Sequence, residues 1–406
     1  MLTSIGIQGF KSIHNIPSLE LGQVNVFIGA NGSGKSNLLE AVGMLSAAAD
    51  GRVDADHLLR RGVRHGVSGL YKTSLKGMEQ SDDNDIVLKA AGSWNGVEAN
   101  YEVSLNNPPP GIWIYRQEKL CDKKLERHLP TSSNRIKKGI IDETLGRFLK
   151  KVGYFRFYTD KPETVELYRA LTDYAIFTPT TPVLRGIQPD IVPSEPLGLF
   201  GGRLAEAVED ILDPENESLG GADLDDVLDL LEWVDEFDIT APSRELLSPH
   251  VPSLRSLVRF RDYWMNEKRN RVSGYDASEG ALYVLFTLIL ALHPRTPGFF
   301  AIDNFCQTMN PRLARGVTRL FCNLMLESDP PRQALLTTHS PLVLDGLDLR
   351  DDRIRLFAVD RSQDTHGATK VSRVRLSDEL LEKGEKGTPL SMMWSMGLLG
   401  GVPDIF

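Results

Sequence analysis

Gly29–Ser36, GANGSGKS, fits the pattern G-x-x-x-x-G-K-[ST], and no other stretch limits the possible folds as much. The apolar run Val24–Ile28 precedes it and reads as a strand. Leu38, Leu39, Val42 and Leu45 follow at helical spacing. A strand that feeds a glycine-rich turn opening a helix is the setting in which this pattern holds phosphate. The glycines let backbone N–H groups turn toward phosphate oxygens, and the helix start adds the positive end of its dipole. Lys35 is then placed to reach β and γ phosphates, and Ser36 to bind a magnesium ion. The competing reading is a glycine-rich strand–helix turn that holds no ligand, and the pattern and its context together favour the phosphate loop.

The remainder of the chain bounds the kind of protein that carries this loop. Its 406 residues allow one large domain or two. A net charge of −9 excludes a surface that is basic throughout, so any nucleic-acid patch is local. Cys121, Cys306 and Cys322 have no metal-ligand or C-x-x-C spacing, which fits a reducing compartment. The start, MLTSIGIQGFKS, lacks the apolar core of a signal peptide, and Ala281–Leu292 is too short to span a bilayer. A cytoplasmic, soluble chain without membrane partners is expected.

Composition shifts suggest three parts: residues 1–110, an N-terminal lobe with the phosphate loop and a β subdomain; 111–252, an inserted, mostly helical region; and 253–406, a C-terminal lobe. Leu2–Ile7 reads as a strand, and DIVLKAAGSW and ANYEVSLN as β-ribbon segments. Arg116–Lys151 holds eleven Lys or Arg against five Asp or Glu. This is either a phosphate-facing patch or, more commonly for such clusters, a solvated face. Tyr115 and Arg116 are also candidates for a nucleotide contact. Thr178–Gly198 is a proline-rich loop. Gly201–Leu212 and Asp223–Phe237 read as amphipathic acidic helices, and Ser253–Arg271 as basic and helical in part. The carboxylates Asp223, Asp225 and Asp226 are close in sequence but form no compact metal set. Leu390–Phe406 is rich in Met and Leu and reads as tail packed on the core, with an adaptable binding surface as the alternative.

Three further signals are weak singly. Phe299–Ile302, FFAI, ends in Asp303, as a strand that delivers a magnesium-binding carboxylate beside the phosphate loop would. Ser278 and Gly280 head the apolar run of DASEGALYVLFTLILAL, where a serine most often only caps a helix. His339 follows the apolar run in LLTTHSP.

Their order carries more than any one piece. Phosphate loop, Ser-x-Gly helix, strand-Asp and strand-His resemble the head of an ATP-binding-cassette ATPase. The opening IGIQGFKSI and the long gap between the halves resemble the SMC and RecF branch. The nearest resemblance is to AAA-type, OLD-like stand-alone ATPases, many of them encoded with bacterial phage-defence systems. ASEG (Ala277–Gly280) fills their signature slot and MNP (Met309–Pro311) stands where they have LHP. Met1–Ala49 and about Leu254–Val359 carry the resemblance; the middle third agrees only in layout.

That resemblance implies an α/β fold: a P-loop NTPase of ABC/SMC-head type, with a mixed sheet, flanking helices, an antiparallel β subdomain and the insert. It implies ATP and Mg²⁺ as cofactors. Asn31, Gly32, Ser33, Gly34, Lys35, Ser36 and Asn37 would cradle ATP, with Ser36 and Asp303 on the metal and His339 sensing the γ-phosphate. Ser278 and Gly280 would act in trans, on the nucleotide of a second copy, in a homodimer or higher even oligomer. Asn310 would begin the segment that touches that copy. Gln80 and Gln117 are the candidates for a glutamine near the metal. The family's Asp is followed by Glu, which orients the attacking water; Asn304 stands in that place and takes up no proton at neutral pH. The expected function is an ATPase with slow or triggered turnover that controls a separate effector, a nuclease from the same operon, with nucleic acid reached through the complex. A RecF- or SMC-like repair or recombination ATPase is the alternative, and the nucleotide-binding subunit of a membrane importer fits less well.

Overall fold

Val24–Ile28 is buried along its whole length, as a central parallel strand must be. The computed structural model describes residues 1–77, 84–108, 111–121, 123–124, 153–155, 161–213, 224–251, 255–361, 366–375, 377, 380 and 387–401. In chain order the elements begin with β1 (Leu2–Phe10), β2 (Ile13–Glu20), β3 (Val24–Ile28), α1 (Lys35–Ala49), α2 (Ala55–Leu59), β4 (Ile86–Trp94), β5 (Val97–Asn106), β6 (Ile114–Leu120) and β7 (Lys123–Lys124). Next come α3 (Pro162–Thr172), β8 (Ala175–Phe177), α4 (Thr181–Leu184), α5 (Leu204–Leu212), α6 (Leu224–Leu230), β9 (Val234–Thr240), β10 (Leu257–Asp262) and β11 (Arg271–Ser273). The last are α7 (Glu279–Leu292), β12 (Phe299–Ile302), α8 (Pro311–Glu327), β13 (Gln333–Thr338), β14 (Ile354–Arg361), β15 (Thr369–Val374) and α9 (Leu390–Ser395).

A six-stranded sheet with the order β15-β14-β3-β13-β12-β8 forms the centre. Its strands are parallel except β15, which runs antiparallel to β14. Alternation along these strands splits the interior in two. Val24, Val26, Ile28, Phe300, Ile302, Ala334 and Leu336 face one core, shared with α7 and α8. Phe27, Phe299, Ala301, Leu335, Phe357 and Val359 face the other, shared with α1 and the antiparallel sheet β2-β1-β4-β5-β6-β7. α7 is apolar on every side because it lies inside the first core, whereas α8 buries one face, Ala314, Val317, Thr318, Phe321, Cys322 and Met325. The buried amide of Gln333 donates to Leu2 O (2.9 Å) and Gly22 O (2.7 Å), tying the start of β1 and the approach to β3 to the central sheet.

Two sequence expectations change here. Asp223–Phe237 is not one helix: α6 stops at Leu230 and β9 begins at Val234. Ser253–Arg271 is not helical where it is described; it forms β10 and β11 of a small antiparallel sheet, β11-β10-β9. Leu257, Val258 and Phe260 go to the core while Arg259 and Arg261 pair with Asp238 and Asp235 across the ladder, a cross-strand arrangement that helical periodicity does not anticipate. The 111–252 stretch thus supplies strands to all three sheets. Most of the basic run, residues 125–152, lies outside the described residues, as do Gln80 and Asp223. Tyr115 is buried, with its hydroxyl on Ala48 O (3.2 Å), so it is a core residue rather than a nucleotide contact. In the tail Met393 and Leu399 are buried while Met392 and Met396 are exposed. Among the described residues no helix is long and apolar enough to cross a membrane.

Replacing Gln333 by Leu keeps the volume but removes the buried amide that donates to Leu2 O and Gly22 O, the latter keeping Asn25 Nδ2 as a donor. Urea unfolding should show a loss of roughly 1–3 kcal/mol; an unchanged midpoint would mean that this amide does not hold β1 to the central sheet.

Candidate functional site

The loop between β3 and α1 leaves no space for side chains where it turns. A Cβ on Gly29 would sit 2.0 Å from Val359 O, and one on Gly34 would sit 2.1 Å from Thr369 Oγ1. Gly32 and Gly34 also have φ of +78° and +108°, which glycine alone adopts without strain. Asn31 and Gly32 are exposed at the tip, whereas Ser33, Gly34 and Lys35 are buried. Gly34 caps α1 without a side chain, and the first turn holds no acidic residue of its own. The buried Ser33 Oγ has no hydrogen-bond partner.

Lys35 Nζ donates to Gly29 O and Ala30 O, both at 2.8 Å, and lies 3.2 Å from His339 Nδ1. The ammonium's third proton therefore meets Nδ1 as an acceptor, which assigns the imidazole proton to Nε2. His339 Nδ1 is also 3.2 Å from Gly29 O, a contact that a ring protonated on Nδ1 would use as donor and that the adjacent Lys35 ammonium disfavours. Burial, followed by the neighbouring Lys35 cation, pushes the His339 pKa down, so the neutral ring is the one present at pH 7. Burial also lowers Lys35 to about 8, against the opposing pull of Asp303.

Ser36 Oγ donates to Asp303 Oδ1 at 3.1 Å, which leaves the hydroxyl's lone pairs free for a cation. β12 is not the neighbour of β3; β13 lies between them, yet Asp303 still meets the start of α1. Thr337, near the end of β13, makes that turn. Its hydroxyl donates to Asp303 Oδ1 and accepts from Asn304 N at 2.9 Å. Phe305 N donates to Thr337 O (2.7 Å) and Thr338 Oγ1 to Phe305 O (3.3 Å). Asn304 has φ +59°, a left-handed conformation that Asn tolerates better than most residues.

Asn37 Nδ2 donates to Ser12 Oγ (2.8 Å), which shares a hydrogen with Thr369 Oγ1 (2.7 Å). Thr369 Oγ1 also reaches Ser33 O at 2.8 Å, pinning the loop from β15. Glu40, buried in α1, is held by Lys11 and Arg64. The structure thus brings Lys35, Ser36, Asp303, Asn304 and His339 together. Ser278 and Gly280 instead share a cleft of about 450 Å³ with Thr308, Asn310, Arg312 and Trp233. There Ser278 Oγ caps α7 by accepting from Ala281 N (3.3 Å), and Asn310 Oδ1 caps α8 by accepting from Leu313 N (3.0 Å). Gln117 lies in β6, paired with Ser104 in the antiparallel sheet. Sequence reasoning missed Thr337 and Thr369: a threonine in a strand reads as a β-former, and nothing in the residues around it marks a polar role.

Sheet order, loop and Asp/His termini together define a P-loop NTPase fold of ABC/SMC-head type, with an antiparallel subdomain. The chain belongs to the AAA_21 family, described as "AAA domain, putative AbiEii toxin, Type IV TA system", whose profile matches residues 24–159 and 206–345. The SMC head domain with an extended coiled coil, bound to the C-terminal domain of ScpA and derived from Pyrococcus furiosus, is similar in fold: TM-score 0.50 at 13% identity, over 95% of this chain and 99% of that one. The SMC head domain from Thermotoga maritima gives 0.47 at 14% identity, over 92% and 99%. No curated protein matches the sequence.

Lys35 gives the site a pH dependence. Its folded pKa of about 8 lies below the ordinary 10.5, so its burial costs stability below about pH 8, and that cost fades as pH rises toward 10.5. A bound polyanion raises the pKa again, so binding takes up a proton above about pH 8. Affinity for a fluorescent ATP analogue should be flat below that pH and fall above it, approaching about tenfold per pH unit. A flat profile up to about pH 10 would contradict this assignment of Lys35.

Proposed function

We propose that this chain binds ATP with Mg²⁺ at the β3–α1 loop and works as an ATP-dependent dimerising ATPase that controls a separate effector protein. The convergence of Lys35, Ser36, Asp303 and His339 on one loop carries the reading. The residues fit the nucleotide: Gly29 and Gly34 leave no room for a Cβ, the first turn of α1 carries no acidic residue of its own, and Ser33 Oγ lacks a partner. Asn31–Asn37 would cradle the triphosphate, and Lys35 would transfer donors from its own loop carbonyls to phosphate oxygens. Ser36 and Asp303 would hold the metal, which supplies charge neutralisation on the β and γ phosphates when bound. His339, neutral and with its proton on Nε2, is left with a donor to offer the terminal phosphate.

Ser278 and Gly280 take the trans role in this proposal. The cleft they share with Asn310 is open to a partner, and Ser278 Oγ, although it accepts from Ala281 N, keeps its own proton to donate. Asn304 sets the rate. It positions water without taking up a proton, and the loss of a general base costs about 10²–10⁴ in turnover. A slow head of this kind holds its ATP-bound state long enough to act as a latch on an effector. The family description supports a two-component toxin or defence setting, in which a nuclease is the effector we favour.

Three measurements test the reading. Lys35→Ala should abolish binding of the fluorescent ATP analogue. Sizing chromatography should show a shift to a dimer with ATP in the wild type and no shift in Ser278→Arg, which keeps nucleotide binding. Single-turnover hydrolysis should be slow in the wild type and faster in Asn304→Glu. Rapid multiple turnover by the unmodified protein would remove the latch.

A further inference from the structure

Thr337 is fully buried and carries one hydroxyl proton, and both faces of that hydroxyl are in use. The proton goes to Asp303 Oδ1, the same oxygen that accepts from Ser36, and a lone pair takes the N–H of Asn304. Its backbone carbonyl accepts from Phe305 N, and Thr338 returns a bond to Phe305 O. The turn Asp303–Phe305 is therefore stitched to the end of β13, and His339 lies two residues after Thr337, just past the strand's last residue. We propose that Thr337 is a positioning residue that orients the Asp303 carboxylate for a divalent cation and holds residue 304 in its left-handed turn. The inference rests on the nucleotide-site reading above and deepens it.

Physical chemistry separates this role from simple packing. A carboxylate that turns freely presents either oxygen to a cation and loses rotational entropy on binding. Two hydroxyl donors on Oδ1 fix its plane in advance and leave Oδ2 for the metal. The acceptor half of the Thr337 hydroxyl holds the backbone of Asn304, so the residue nearest the reacting water is set by the same atom that sets the metal ligand. Valine matches threonine in shape and removes both halves; serine keeps both.

The test measures cation dependence rather than turnover. The binding of a fluorescent ATP analogue is titrated with Mg²⁺ and, separately, in EDTA, for the wild type, Thr337→Val and Thr337→Ser. Thr337→Val should bind as the wild type does in EDTA and need about 10–100-fold more Mg²⁺ for half of the metal-dependent gain, the loss usual when a partner of a metal ligand is removed. Thr337→Ser should stay within about threefold of the wild type. Far-UV circular dichroism and melting in EDTA check that the valine variant is folded; if it is not, the serine variant together with Thr337→Cys, a poorer donor of similar size, gives the same comparison. If Thr337→Val keeps the wild-type Mg²⁺ requirement, the positioning role is wrong while the nucleotide site stands. If the wild type itself shows no Mg²⁺-dependent gain, the assignment of Ser36 and Asp303 to the metal falls with it.

Discussion

The parallel pairing of β13 with β3 on one side and β12 on the other sets the whole site. It brings together three chain segments, near residues 28, 303 and 338, that the sequence keeps far apart. One register error would move every side chain of β13 to the opposite face and take Thr337 away from Asp303. The pairing is protected by burial on both faces, since each of the three strands has its odd and even residues in different apolar cores. Polar chemistry is confined to the strand ends, where the helices no longer cover the sheet. Ligand sites in open α/β sheets lie beyond the carboxyl ends of the strands for the same reason.

Lys35 and His339 form the electrostatic counterpart of that geometry. The ammonium is buried against carbonyl oxygens rather than a carboxylate, so its charge is only partly compensated. An anion that displaces those carbonyls meets a donor that is already desolvated and already aimed. Burial holds His339 neutral first, and the same cation adds to it, because a second positive charge 3.2 Å away would be repelled. Lys35 thus sets the electrostatics of both the glycine-rich loop and the residue that follows β13.

Much of this was legible from residues. The loop announced itself because a tight turn around phosphate admits only glycine at Gly29 and Gly34, and that demand leaves a fixed pattern. Asp303 and His339 were visible through their place after apolar runs. Asn304 was visible as a departure from Glu, but its left-handed backbone was not, since Asn is common in many conformations. β10 was misread because Arg259 and Arg261, which alternate with buried Leu257, Val258 and Phe260, look like the charged face of a helix until their cross-strand partners Asp238 and Asp235 are known. The separate place of Ser278 and Gly280, in a cleft with Asn310, was expected only through the trans role and depended on no local signal.

The flanks of β3 carry a consequence for biosynthesis. Val24–Ile28 leaves the ribosome early, but both strands that border it, Gln333–Thr338 and Ile354–Arg361, are encoded in the final quarter of the chain. At elongation speeds of about 5–20 residues per second, the strand waits roughly 15–60 s for its neighbours. A nascent chain stalled before Gln333 therefore carries the entire GANGSGKS sequence and lacks both strands that flank β3. Nucleotide capture becomes a property of the nearly finished polypeptide, and the exposed apolar strand is a natural client for chaperones until then.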